Sequence, residues 1–394
     1  MHTMVVDART YPPLGMPPEL FLELYWQKQP LLIRNAFPHF TAPLTPDDLA
    51  GLSLEDNALS RLIRHDPVAE TWHVATGPFA EDTYADIGDR DWTLLVQDVD
   101  KWDADVAALL PAFDFLPRWR VDDIMVSFAA AGGSVGAHVD HYDVFLLQGL
   151  GRRRWQIDAS PAPPTAFRDD VELKLLREFT PSHDWILEPG DMLYLPPGVP
   201  HHGVALDPCL TFSIGMRAPS QGELLVDLAE HLAESLPESS RYADPDLLPA
   251  TAAGEIDAAA LARVRDALAP LLAAQGDAVG DWFGRFITRY RSAGEIAAPP
   301  RPPSRADLDK RLAQGAQLRT HPYARVAWQR SGTGATLFAN GDAWPCSVAT
   351  AARLADRAPL DAAALAALPQ EARGLVQTLV ERGILAPTRP RSRR

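Results

Sequence analysis

Three stretches of the chain carry side chains able to hold a metal ion or an anion. His138 and Asp140 stand two apart in GAHVDH; a Gly–Asp turn, a short apolar run and the turn PPGVP lead into His201 and His202; and Arg152, Arg153 and Arg154 stand in a row in GRRRW. On an extended backbone the side chains of residues i and i+2 share a face. His138 and Asp140 therefore point together and Val139 points away. Two imidazoles and one carboxylate suit ferrous iron, and they occupy one face of the metal, leaving three positions open. A histidine and an aspartate at this spacing are common by chance. The glycine-rich AGGSVGAH before them adds weight, as does the proline turn, which fixes where the next histidine points. Zinc or manganese fits the same donors. Periodicity does not choose between His201 and His202. His141 follows Asp140 directly and reads as a surface residue, while His73 and His183 have no partner that the sequence names.

A buried arginine demands an anion. Alternation on a strand sends Arg153 one way and its two neighbours the other. If Arg153 points inward, its guanidinium suits the far carboxylate of a dicarboxylic acid, which it grips with two hydrogen bonds. The plainer alternative is three arginines on a solvated edge. Ser127 in IMVSFA is a candidate hydroxyl partner, with Thr211 and Ser213 as rivals. Tyr142, Tyr194 and Trp155 are candidates to line the pocket, although core packing accounts for aromatic residues equally well.

These groups need a scaffold that brings distant segments together. From about residue 120 to 217 the chain reads as short strands divided by Gly/Pro turns: DDIMVSFAA, AGGSVGAHVDHYDVFLLQG, GRRRWQID, HDWILEPGDMLYLPPGVPHHGVAL and CLTFSIGMR. There is no alternation of strand and helix, so a closed antiparallel barrel or jelly roll is expected. Upstream, PELFLELY reads as a helix stopped by Pro30, LLIR as a strand, and Thr45 as the cap of a second helix. TWHVATGPF reads as a strand running into a loop, and WTLLVQDVDKW as a strand with a charged end. Beyond Pro219 the pattern turns helical, with Leu224, Leu225, Leu228 and Leu232 on one side of the first helix. AAPPRPPSR at 297–305 reads as a linker. The last segment mixes strand-like YARVAW and ATLFANG with two helical runs, which suits a winged helix, and ends in a loose basic tail, PTRPRSRR. The expected division is 1–218, 219–304 and 305–394.

Composition narrows the function classes. The 394 residues are 46% hydrophobic, enough for extensive cores, and the formal net charge is −15. That charge argues against a general nucleic-acid binder and suits a cationic partner such as an arginine-rich protein segment. The two cysteines, Cys209 and Cys346, form no metal or disulfide framework. No signal peptide and no membrane span are expected, so a cytoplasmic location is.

The stretch from DDIMVSFAA through GRRRWQID, followed by LEPGDMLYLPPGVPHHG, resembles the bacterial JmjC-type ribosomal oxygenases of the cupin superfamily. YWQKQPLLIRNAFP and WTLLVQDVDKW resemble the same family's N-terminal region. The resemblance implies a mainly β protein: a double-stranded β-helix, then a helical dimerisation domain and a winged-helix domain. It implies Fe(II) held by His138, Asp140 and His201, and 2-oxoglutarate held by Arg153 with Ser127. Molecular oxygen would be the other cosubstrate. The implied reaction is hydroxylation of an arginine side chain, at C3, in a large-subunit ribosomal protein, by a homodimer, with release of succinate and carbon dioxide. Asp122, Asp123 and Asp143 are candidates to meet the arginine; strand-end charge is their plainer reading. The alternatives are a related oxygenase acting on histidine or another substrate, and a non-catalytic ribosome-associated adaptor. Direct DNA binding is not expected.

Overall fold

A computed structural model describes residues 3–388 apart from 235, 246, 248–255, 273–276, 292–293 and 295. The final six residues of the basic tail thus lie outside the described residues. The chain forms two compact units, Met1–Ala218 and Pro219–Arg394. Among the described residues no helix is long and apolar enough to cross a membrane.

The first unit begins with β1 (Val5–Asp7), α1 (Pro18–Leu24), β2 (Leu31–Arg34) and α2 (Pro46–Leu52). Pro18 opens α1, where its missing N–H costs nothing. Thr45 and Asp48 cap α2 reciprocally: Asp48 N–H donates to the Thr45 hydroxyl at 3.2 Å, and Thr45 N–H to the Asp48 carboxylate at 2.8 Å. There follow β3 (Ser60–Asp66), β4 (Thr71–Thr76), β5 (Trp92–Val96) and the short helices α3 (Val99–Trp102) and α4 (Ala104–Ala107). The run WTLLVQDVDKW, expected as one strand, therefore stops at Val96. Asp98 then takes a left-handed conformation, which ends the strand and starts α3.

The remaining strands are β6 (Val121–Ala129), β7 (Val144–Leu150), β8 (Arg153–Ile157), β9 (His183–Leu187), β10 (Met192–Leu195), β11 (His201–Ala205) and β12 (Cys209–Met216). Nine strands form one sheet in the order β1-β2-β10-β7-β12-β6-β5-β3-β4, and β11-β8-β9 form a second. All neighbours are antiparallel except β1 and β2.

Alternation explains how the large sheet is used. Phe145, Leu147, Tyr194, Phe212 and Ile214 face the side covered by Phe21 of α1 and by Tyr25 just beyond it. Val144, Leu146, Leu193 and Leu195 face the other way, against Trp155, Ile157 and Leu187 of the small sheet. Both faces of β7, β10 and β12 are thus buried, so their sequences run apolar without a break. The small sheet closes over the large one, and the site lies between them.

The second unit holds α5 (Gln221–Glu234), α6 (Ala258–Leu272), α7 (Asp277–Arg289) and α8 (Arg305–Ala313), then β13 (Leu318–Thr320), β14 (Val326–Ser331), β15 (Gly334–Ala339), β16 (Asp342–Cys346), α9 (Val348–Ala355), α10 (Ala362–Ala367), α11 (Ala372–Glu381) and β17 (Leu385–Pro387). Strands β14-β15-β16 form a meander and β13 pairs with β17. The proline-rich stretch before α8 carries no regular structure.

Candidate metal centre

His138 lies in the connection between β6 and β7, not in a ladder strand. A single bridge holds it: His138 N–H donates to the His201 carbonyl and His201 N–H to the His138 carbonyl, each at 3.0 Å. Asp140 is fixed by the proline turn, because Gly198 N–H donates to its carbonyl at 2.8 Å. Gly198 has φ +84°, which an L side chain rarely tolerates, so the turn needs glycine there.

The three side chains converge. His201 Nε2 lies 3.6 Å and His138 Nε2 4.0 Å from Asp140 Oδ2, and one donor atom from each residue falls within 4.8 Å of the others. Each ring is oriented by a backbone carbonyl. His138 Nδ1 lies 2.9 Å from Gly136 O, and His201 Nδ1 lies 2.9 Å from Val199 O. Those carbonyls accept only from a protonated Nδ1, so both Nε2 lone pairs are left facing the shared space. Burial, with His138 nearby, pushes the His201 imidazole down to about 4, so it is neutral near pH 7. The donor chemistry, two imidazoles and a carboxylate, fits a divalent iron.

His202 faces away from the cluster, its ring 6.1 Å from Phe179. Burial, then Arg153, holds it too at about 4. His141 is exposed.

Arg153 is 2% exposed and lies over the Trp155 ring at 5.0 Å. Arg152 and Arg154 point outward to Asp207 and Asp184. Among the described residues no carboxylate meets Arg153. Nη1 reaches Ser127 Oγ at 3.4 Å, Nη2 reaches Gly203 O at 3.3 Å, and Nε has no hydrogen-bond partner. Burial lowers its pKa from the ordinary arginine value. A buried guanidinium so poorly satisfied fits the end of a dicarboxylate such as 2-oxoglutarate. Gly203 makes the space: a Cβ there would sit 2.7 Å from Arg153 Nε and from the Trp155 ring. Of the rival hydroxyls, Thr211 donates to Gln148 at 3.2 Å, while Ser213 stands further along β12, opposite Met125.

The three acidic candidates separate. Asp143 is fully buried and accepts from Tyr194, Gln27 and Arg120, so it is structural. Asp122 accepts from Arg217 Nε at 3.1 Å. Asp123 stands four residues before Ser127 on β6 and so shares its face. Burial, then Asp98, pushes its carboxyl up to about 7. Tyr142 has its phenol raised by burial and by Asp140, with Asp123 also nearby. Of the aromatic candidates, Tyr194 takes the core alternative: strand alternation sends it to the α1 side of the sheet.

Sequence reasoning missed the turn at residues 98–101, taken as strand, and the role of Gly203. The glycine directly after the histidine pair was the available signal for the second.

The JmjC domain family matches residues 108–224, and the ROXA-like winged helix family matches 271–386. The chain is 38% identical over 330 residues to the ribosomal protein uL16 3-hydroxylase of Escherichia coli K12, covering 82% of this chain and 84% of that protein. It is 37% identical to a probable ribosomal oxygenase of Haemophilus influenzae, over 60% of this chain and 56% of that one. Its fold matches the solved E. coli YcfD with a TM-score of 0.83 at 34% identity, over 95% of this chain and 99% of that one. The structure of the E. coli ribosomal oxygenase with cobalt and 2-oxoglutarate matches with a TM-score of 0.80 at 34% identity, over the same shares.

Proposed function

The chain belongs to the JmjC-domain ribosomal oxygenases, and on that premise we propose that it hydroxylates an arginine side chain at C3 in a large-subunit ribosomal protein. The name of its E. coli relative points to uL16. The cofactor is Fe(II), and 2-oxoglutarate and oxygen are the cosubstrates. The observation that carries the reading is the pairing of three convergent donors with a buried arginine that meets no carboxylate among the described residues.

His138 and His201 would hold the metal through Nε2, and Asp140 through its carboxylate. When bound, iron and 2-oxoglutarate supply the oxidative chemistry: the diacid becomes succinate and carbon dioxide, one oxygen atom of O2 goes to succinate, and the other enters a C–H bond of the substrate. The protein's work is placement. Arg153, with Ser127, would grip the distal carboxylate of the cosubstrate. Trp155 and Ile157 share the β8 face of Arg153 and are buried, so that side of the site is apolar. Asp123 meets the substrate guanidinium, and its position places the target carbon. The first 218 residues carry 32 Asp and Glu against 16 Lys and Arg, a balance that attracts a basic ribosomal protein.

The two-sheet core is read as the double-stranded β-helix, 219–304 as a helical dimerisation domain and 305–394 as the winged-helix domain. Leu261, Val264 and Leu268 recur along one face of α6, yet all are exposed. Such a face needs a cover, and a second copy of the chain in a two-fold dimer supplies it. A ribosomal substrate places the enzyme in the cytoplasm.

The deciding experiment incubates the protein with Fe(II), 2-oxoglutarate, oxygen and a uL16 arginyl peptide. Succinate release matched by a one-oxygen mass gain on arginine is expected; succinate without that gain, or gain on another residue, overturns the substrate assignment.

A further inference from the structure

Asp123 sits where its own strand is poorly held. β6 and β12 stay in register from Cys209–Ala129 to Gly215–Asp123, and then the pairing shifts. One turn, residues 98–101, supplies the missing restraint. Asp98 N–H donates to Asp123 Oδ2 at 2.9 Å. Asp100 Oδ1 accepts from Ile124 N–H at 2.9 Å, and Lys101 Nζ donates to the Asp122 carbonyl at 3.3 Å. The carboxylate of Asp123 and the backbone on both sides of it are therefore tied to the same four residues.

The turn is itself constrained. Asp98 adopts φ 56°, ψ 28°, a left-handed state that a non-glycine residue keeps only when its surroundings enforce it. Lys101 is the enforcing charge. Its side chain is 9% exposed, contacts the Asp100 carboxylate and lies 3.8 Å from that of Asp98. An ammonium held among Asp98, Asp100 and the Asp122 carbonyl offsets acidic groups that would otherwise repel one another and Asp123.

We propose that the Asp98–Lys101 turn positions the Asp123 carboxylate for the substrate guanidinium, with Lys101 as the positioning residue. This rests on the reading of Asp123 as the group that meets the target arginine. Lys101 touches neither substrate nor metal; it acts through the left-handed turn and the backbone of β6. Its loss therefore weakens recognition of a charged target more than of a neutral one of the same shape.

The test measures binding of two labelled uL16 peptides, one with the target arginine and one with citrulline in its place. The full-length protein is loaded with manganese and 2-oxoglutarate without oxygen, and anisotropy gives each Kd. Asp123→Asn is expected to reduce the preference for arginine over citrulline about tenfold, as loss of a charge-assisted hydrogen bond does. Lys101→Met should lose most of the same preference, Lys101→Arg should restore it, and Lys101→Met with Asp123→Asn should lose no more than Asp123→Asn alone. If Lys101→Met folds poorly, Asp98 decides: Asp98→Val strains the left-handed turn, whereas Asp98→Gly accommodates it and keeps the N–H, so valine should lose more preference than glycine. Should Asp123→Asn lose the preference while Lys101→Met and Asp98→Val keep it, the positioning role is wrong and the reading of Asp123 stands. Equal weakening of both peptides by Lys101→Met and Asp98→Val also overturns it. Should Asp123→Asn itself keep the preference, the reading beneath the proposal fails.

Discussion

His138 and His201 are bonded to each other through their backbones, with two reciprocal hydrogen bonds of 3.0 Å, although β7, β8, β9 and β10 lie between them in sequence. Their imidazoles stand 4.2 Å apart, centroid to centroid, and each is aimed by a carbonyl at Nδ1. Ring placement is thus tied to backbone hydrogen bonds within the fold.

Metal removal should therefore inactivate without unfolding. Treatment with a chelator is expected to abolish succinate formation while leaving the circular dichroism spectrum and the cooperative melt intact. Ferrous iron should restore activity. His138→Ala and His201→Ala should each lower manganese affinity by at least about 100-fold, read by calorimetry, since a three-ligand site loses a third of its donors.

Arg153 offers a test that separates function from stability. Arg153→Met should abolish 2-oxoglutarate binding yet leave the apo protein at least as stable, by about 1 kcal/mol in its favour, because it removes a buried charge with no counterion. Gly203→Ala should raise the KM for 2-oxoglutarate about tenfold by displacing the guanidinium, with manganese affinity unchanged. A 2-oxoglutarate titration of each variant, with a thermal melt of the first, checks both.

Asp123 predicts a pH dependence. Its carboxyl is raised in the fold from 3.8 to about 7, by burial and by Asp98, Asp122 and Asp100, with Tyr142 on the pocket side. Only the ionised form meets a guanidinium, so arginyl-peptide affinity should rise with pH through about 7 and then level. Stability runs the other way: between the ordinary carboxyl range and about 7 the fold holds a proton that the unfolded chain has released, so stability is lost as pH rises through that window. Asp123→Asn should flatten both profiles, measured by peptide titration and chemical denaturation from pH 5 to about 8.

The exposed face of α6 predicts its cover. Leu261→Asp combined with Leu268→Asp should convert a sedimenting dimer to monomer at micromolar concentration, with the chemistry at the iron site retained. A wild-type monomer under the same conditions removes the dimer from the account.

Much of this was legible in the chain. LLIR, the Thr45 cap, the strand runs of β6 to β12 and the outward–inward–outward arginine triplet follow from local periodicity, capping chemistry and turn residues, all of which act within a few positions. One choice stayed open and one reading failed for a shared reason. Tyr194 and the VQDVDKW turn look the same in sequence whether they serve the pocket, the core or a strand, because which face an apolar strand shows to which layer is set by distant partners.

The sequence by itself determined the residue types at the site, the strand-rich scaffold and the family resemblance, since these rest on composition, spacing and motif. Local periodicity left His201 and His202 open, and only the tertiary structure showed by geometry that His201 stands with His138 and Asp140, that Arg153 is buried and meets no carboxylate among the described residues, and that Asp123 alone of the three aspartates shares the strand face of Ser127. Those outcomes depend on how two sheets stack and on contacts between residues far apart in the chain, and no local rule contains them.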